Sequence, residues 1–308
     1  MNAIREEVEG GRSVIVRGDN LDATALLPDA CVGLVYIDPP FNTGKTQTAQ
    51  RIRTRSDPAG DRVGFGGRRY RTEHLTNISY GDAFEDYLAF LGPRLREARR
   101  ILAPHGSLFV HLDNREVHYC KVYLDQLFGR DCFMNEIIWS YDFGGRSRNK
   151  WSSKHDNILW YAQDPENYVY NYDEIDRIPY LAPSLVGPEK AARGKTPTDV
   201  WWQTIVPTNG AERTGYPTQK PLKILDRIVR VHSRRSDLVV DFFAGSGTTG
   251  EAAARHGRQF VLVDSQREAI DTMTRRLGAY APVIVDLQSS EHESVGPQLG
   301  DLRCQPAE

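Results

Sequence analysis

Residues 13–17, 32–37, 107–112, 238–241 and 260–264 are short apolar runs bounded by turn-forming residues. They lack the every-second-residue alternation of a half-solvated strand. This predicts strands buried on both faces of a parallel sheet. Between them the spacing lengthens to a helical period at 21–27, 84–102, 113–128, 221–232, 248–256 and 268–277. Pro93 should kink or split the second of these helices. Asp113, with Glu116 three residues on, has the spacing of a capping box, and Gly129 should stop that helix. Strands alternating with helices predict an α/β fold.

Some stretches break this rhythm. Residues 43–72 have no hydrophobic period and contain Gly60, Gly64, Gly66 and Gly67, which predicts a long functional loop. Residues 136–141 and 157–161 are β-rich and flank a basic tip with Gly144, Gly145, Arg146, Arg148 and Lys150, as a hairpin would. Residues 164–215 are irregular, and all five tryptophans lie between Trp139 and Trp202. The division expected is 1–135, 136–215 as an insertion, 216–285, and a loose acidic tail over 286–308.

The chain has 308 residues, 40% apolar and 26% charged, with a formal net charge of −2. That excludes a wholly disordered or collagen-like chain and allows a large buried core. No apolar run is long enough for a membrane span, and the N-terminus has no apolar signal segment, so a cytoplasmic protein is expected. Cys31, Cys120, Cys132 and Cys304 are scattered, which argues against a disulfide framework or a metal site. The charge is uneven. Residues 45–71 hold eight basic side chains against Asp57 and Asp61. This suits an anionic partner or, equally, a solvated loop.

Two constellations carry chemistry. The strand ending at Asp241 runs into Phe242-Phe243-Ala244-Gly245-Ser246-Gly247 and then a helix, and the next strand ends at Asp264. Small residues let a ligand approach the backbone, the helix start offers N–H groups, and the second acid can hold ribose hydroxyls. Gly250 completes a Gly-x-Gly-x-x-Gly spacing, but a carboxylate at Asp241 would repel a pyrophosphate. A cofactor with an ammonium group is favoured over NAD. The other constellation is Asp38-Pro39-Pro40-Phe41 at a strand end. The Asp38 carboxylate and the Pro39 carbonyl are two adjacent acceptors for an amino group, with the Phe41 ring as a stacking face.

Together with Asn42-Thr43-Gly44-Lys45 and Pro217-Thr218-Gln219-Lys220-Pro221, these motifs resemble the β group of amino-methylating DNA methyltransferases. The match spans roughly 14–277. One departure is Phe41, where the family usually has Tyr. The resemblance implies a Rossmann-like, circularly permuted methyltransferase sheet with an inserted recognition subdomain. It implies S-adenosylmethionine (SAM) as cofactor, held by Asp241, Phe243, Ala244, Gly245, Ser246, Gly247, Asp264, Thr218 and Lys220, with Lys220 near the cofactor's carboxylate. Asp38, Pro39, Pro40 and Phe41 would act on a base flipped out of double-stranded DNA. No metal is implied. A homodimer and a cognate restriction enzyme are possible partners. The Asp-headed tetrad leans toward adenine N6. Cytosine N4, an RNA or protein-glutamine substrate, and a non-catalytic DNA-binding module stay open. The basic loop 45–71 and the tip 146–154 are the expected DNA contacts.

Overall fold

The computed structural model describes residues 3–60, 62–63, 67–207 and 209–288. Cys304 and most of the expected acidic tail lie outside the described residues. The chain opens with α1 (Ala3–Glu9), β1 (Val14–Arg17), α2 (Asn20–Ala25) and β2 (Val32–Ile37). Asp19 caps α2 by accepting from the Leu21 N–H at 2.7 Å. All six residues of β2 are buried, as its uninterrupted apolar run requires.

Then come β3 (Lys45–Ser56), β4 (Arg62–Val63) and β5 (Arg69–Asp82). They form a separate three-stranded antiparallel ribbon. Much of the long loop expected over 43–72 is therefore strand. β3 and β5 pair from Lys45 opposite Asp82 to Ser56 opposite Tyr70. In this antiparallel ribbon the backbone groups that face the neighbouring strand pair across the ladder, so backbone pairing holds it without an apolar period to reveal it.

The chain returns to the main body with α3 (Tyr87–Ile101), β6 (Leu102–Leu112), α4 (Val117–Phe128), β7 (Phe133–Ser140) and β8 (His155–Ala162). Pro93 lies inside α3 without splitting it, although it removes one N–H from the helical ladder. α4 ends at Gly129 as expected, but the capping box does not form. Glu116 makes no side-chain cap bond, and its carboxylate accepts from Asn42 Nδ2 at 2.8 Å instead. The last elements are α5 (Pro188–Arg193), β9 (Val200–Trp202), α6 (Leu222–His232), β10 (Leu238–Asp241), α7 (Thr248–Arg255), β11 (Gln259–Asp264), α8 (Arg267–Leu277) and β12 (Val283–Asp286). The strand β12 falls where the sequence suggested the start of a loose tail.

The main sheet has the order β12-β1-β11-β10-β2-β6-β8-β7-β9. Neighbours are parallel from β12 to β6, and β8 is antiparallel to both β6 and β7. The hairpin β7–β8 thus extends the main sheet. Its strands belong to the central fold rather than to an insertion at 136–215. Alternate residues of each strand face opposite layers. Val14 and Val16 pack on one side with Leu91, Leu95 and Leu124, while Ile15 and Leu34 face Ile228, Val229 and Met273 on the other. Truncating a fully buried leucine such as Leu95 to Ala would cost about 2–5 kcal/mol. β10 pairs directly with β2, so the strand ends carrying Asp241 and Asp38 are neighbours although they lie far apart in sequence.

Candidate active site

Asp241 ends β10 with its carboxylate buried. Its Oδ1 accepts from the Phe243 N–H at 3.0 Å and its Oδ2 from the Thr249 hydroxyl at 2.6 Å. Burial pushes this carboxyl up to about 7, with the nearby Asp38 and Asp264 charges adding to the rise. Asp264 ends β11. Its oxygens accept from the N–H groups of Gly245 and Gln266, each at 2.9 Å, and burial pushes it up to about 6. Each oxygen of the two acids already has one donor and can accept another, which a ligand rich in N–H or O–H groups could supply.

A cavity of about 470 Å³ opens beside them. Its wall includes Asp241, Phe243, Ala244, Gly245, Ser246, Asp264, Thr218 and Lys220, together with Asp38 and Pro40. Gly247 stands apart. It caps α7 with φ at +75°, and a Cβ there would lie 2.8 Å from Met273 Cγ. Gly250 also serves packing, since a Cβ would fall 2.5 Å from Leu262 Cδ1. The sequence reading missed Asp19, Asn20, Phe90, Arg94 and Tyr216, which also line the cavity. Asn20 follows the carboxyl end of β1, a strand of the same sheet, and that edge position was the available signal. Arg94 donates to Asn20 Oδ1 at 2.7 Å and lies 4.1 Å over the Phe90 ring.

The segment after β2 is pinned from several sides. The Tyr87 hydroxyl donates to the Pro40 carbonyl at 2.7 Å. Asn42, with φ at +55°, donates its N–H to Asp82 at 2.6 Å and accepts from the Phe84 N–H at 2.9 Å. Pro39 is buried, and neither it nor Gly247 belongs to the cavity wall. Lys220 does not wait for a distant carboxylate. Its ammonium donates to Asp38 Oδ2, and both side chains are largely buried, at 10% and 17% exposure. Asp38 Oδ1 is buried and has no partner. The lysine therefore fixes the carboxylate through one oxygen and leaves the other for an incoming donor.

A second cavity, about 510 Å³, adjoins the first. Phe41 lines it, with Tyr141, Phe143, His155 and Asp156, and it shares Tyr216, Thr218, Gln219 and Lys220 with the first cavity. The Phe41 ring lies 4.9 Å from Lys220 Nζ and leans on His111 at a centroid distance of 5.9 Å. His111 is wholly buried, as expected of a strand histidine. It also joins the two cavities. The Tyr36 hydroxyl meets Nδ1 at 2.7 Å, and Nε2 meets Asp156 at 3.1 Å. The Tyr141 hydroxyl donates to the other Asp156 oxygen at 2.9 Å. Asp113 also lines the second cavity, while its side chain accepts from the Arg115 N–H at 2.9 Å. Among the described residues no cluster of three or more His, Cys, Asp or Glu side chains could hold a metal ion. Nor is any helix among them long and apolar enough to cross a membrane.

Residues 32–275 match the model of the N6_N4_Mtase family, described as DNA methylase. The chain is 29% identical over 276 residues to the DNA adenine methyltransferase YhdJ of Escherichia coli K12, covering 85% of this chain and 82% of that protein. It is 27% identical over 263 residues to the type II methyltransferase M.HpaI of Haemophilus parainfluenzae, covering 85% and 73%. Among solved structures, the PvuII cytosine-N4-specific DNA methyltransferase superposes with a TM-score of 0.58 at 15% identity, covering 89% of this chain and 95% of that one. The M1.HpyAVI–SAM complex gives 0.54 at 19% identity, covering 86% and 98%. These two likenesses establish the Rossmann-like methyltransferase fold.

Proposed function

The chain belongs to the N6_N4_Mtase family of DNA methylases, and from that premise we propose that it transfers a methyl group from SAM to the exocyclic amino group of a base flipped out of double-stranded DNA, with adenine N6 as the target. The observation that carries this reading is the buried, unpartnered Oδ1 of Asp38 beside the seam between two cavities. One cavity holds the cofactor and the other the base. The first fits SAM by its acids and its small wall: Asp264 can take the ribose hydroxyls, and a side chain at Gly245 would press on the Tyr216 ring, which also lines the cavity. Bound there, SAM supplies an electrophilic methyl group on a sulfonium.

The protein's own residues supply the rest. Lys220 holds Asp38 Oδ2, so Oδ1 is set to accept from the amino group. The Pro40 carbonyl already accepts from Tyr87, and we assign the second acceptor to the Pro39 carbonyl on the strength of the Asp-Pro-Pro-Phe motif. Two acceptors draw the N–H bonds to one side and turn the nitrogen lone pair toward the methyl. They also stabilise the positive charge that develops on nitrogen. Phe41 stacks on the base, and the His111 ring backs it. We place target recognition in residues 163–215, the irregular region that carries α5 and β9.

Adenine is supported by the Asp-headed tetrad and by the name of the Escherichia coli relative. The test is nucleoside analysis of DNA from a host expressing the chain or its Asp38→Ala variant. N6-methyladenine should accumulate only with the unaltered chain. N4-methylcytosine would move the reading to cytosine, and neither product would refute it.

A further inference from the structure

The turn between β7 and β8 carries a residue that the chemistry above does not use. Trp151 is 98% exposed, more than any other large apolar side chain among the described residues. The turn around it is tied by its own side chains. The Ser147 N–H donates to Ser152 Oγ at 2.7 Å, and Ser147 Oγ donates to Asn149 Oδ1 at 2.7 Å. Lys154 donates to the carbonyls of Phe143 and Gly145, and Arg146 pairs with Asp142 at 2.8 Å. The indole is thus presented to solvent by a braced turn.

Both ends of this turn line the second cavity, through Tyr141 and Phe143 on one side and Ser153, His155 and Asp156 on the other. Arg148 and Lys150, just before Trp151 in the turn, are exposed. An exposed flat apolar ring on a basic turn, whose two ends line the cavity that holds Phe41, matches one occupant. That occupant is duplex DNA at the point where a base has left the stack. The vacated space has apolar faces above and below and phosphates at its sides.

We propose that Trp151 is the wedge that enters the DNA stack as the target base is extruded into the Phe41 cavity. It is a positioning residue, and the proposal rests on the base-flipping reading above. Extrusion breaks stacking and pairing, and an inserted ring restores part of the stacking. Without it the extruded state is populated less often, while SAM binding and the chemistry on an extruded base are unaffected.

The test measures methyl transfer by wild type, Trp151→Ala, Trp151→Phe and Asp38→Ala. The substrates are an oligoduplex carrying the sequence methylated in an expressing host, and the same duplex with an abasic site opposite the target. On the paired duplex, Trp151→Ala should lose roughly ten- to a hundred-fold in kcat/KM, on the scale of one base–aromatic stack. Trp151→Phe should keep most of the activity. Opposite the abasic site extrusion is cheaper, so the deficit of Trp151→Ala should shrink to about threefold or less. A Trp151→Ala enzyme as active as wild type on the paired duplex, or equally impaired on both substrates, overturns the wedge. Asp38→Ala should be inactive on both. If it is active, the underlying site assignment fails whatever Trp151→Ala shows.

Discussion

Lowering the pH from 7.5 to 5 should weaken cofactor binding about tenfold, through Asp264. Burial pushes its carboxyl from the ordinary 3.8 up to about 6, and its two oxygens accept from the Gly245 and Gln266 N–H groups. At pH 7.5 it is a carboxylate and can accept from ribose hydroxyls. At pH 5 about ten molecules in eleven carry a proton there, and binding must expel it. Each pH unit below 6 therefore costs about 1.36 kcal/mol of affinity. The sign for the free protein is opposite. The fold favours the protonated acid, so the stability this group contributes is full below about 3.8 and is lost as pH rises through 6. The gap of roughly two units corresponds to about 3 kcal/mol. Asp241, pushed up to about 7, acts in the same direction, so tenfold is the share of Asp264 alone and the total loss is larger wherever the cofactor also needs the Asp241 carboxylate. Calorimetry with S-adenosylhomocysteine at pH 5, 6 and 7.5, in two buffers of different ionisation enthalpy, gives both the affinity and the proton count. Asp264→Asn should flatten the dependence near pH 6 and weaken binding at pH 7.5 by about 1–3 kcal/mol. Asp241→Asn should leave the step near 6 in place. A flat profile in the unaltered protein, or an unchanged step in Asp264→Asn, would refute the assignment.

Other expectations follow from the same geometry. Asp38→Asn keeps an acceptor for Lys220 but loses the charge facing the amino group. Single-turnover methyl transfer should fall by about 10²–10³ while calorimetric SAM affinity changes little. Phe41→Ala should lose roughly 1–3 kcal/mol of base stacking, read as kcat/KM on duplex DNA, and Phe41→Tyr should retain activity. Replacing Arg51, Arg53, Arg55, Arg68, Arg69 and Arg71 with Ala should flatten the plot of log K for DNA against log salt. Each phosphate contact removed should lower the slope by about 0.9, and an unchanged slope would take the ribbon out of the DNA interface.

The parts of this fold that were legible in sequence are those that bury apolar residues at fixed spacing. The run 32–37 became a strand with no solvent-facing residue, and 238–241 its direct neighbour. The acids at their ends, Asp38 and Asp241, come together at one edge of the sheet because parallel strands deliver their last residues to one side. The ribbon β3–β5 escaped because its strands are held by backbone pairing and carry no apolar stripe for a periodicity search to find. The side-chain contacts of the site escaped for another reason. Lys220 reaches Asp38 across 182 positions and Tyr36 reaches His111 across 75, and no local pattern encodes such pairs. Glu116 shows the converse. Its spacing from Asp113 satisfied a local rule, but a tertiary partner, Asn42, took the carboxylate.

The short segment from Tyr216 to Lys220 explains how two cavities can act as one site. It forms a wall of both, so under the proposed reading cofactor and base would meet across it. Its backbone is held in a conformation that its residues would not choose alone. Thr218 has φ at +59°, which is costly for a β-branched residue. Gln219 offsets that cost by accepting from the N–H and hydroxyl of Thr214, at 2.8 Å each, and donating to the Glu212 carbonyl at 2.7 Å. Glu212 in turn accepts from the Leu222 N–H at 2.9 Å, which ties the segment to the start of α6. Thus α6, packed through Leu225 and Ile228 into the core, sets where Lys220 stands. Lys220 then sets which oxygen of Asp38 is free. The orientation of the Asp38 carboxylate, the acceptor in the proposed reading, is thus tied to the packing of a helix that begins more than 180 positions further along the chain, and the adjacency of β10 and β2 makes that possible.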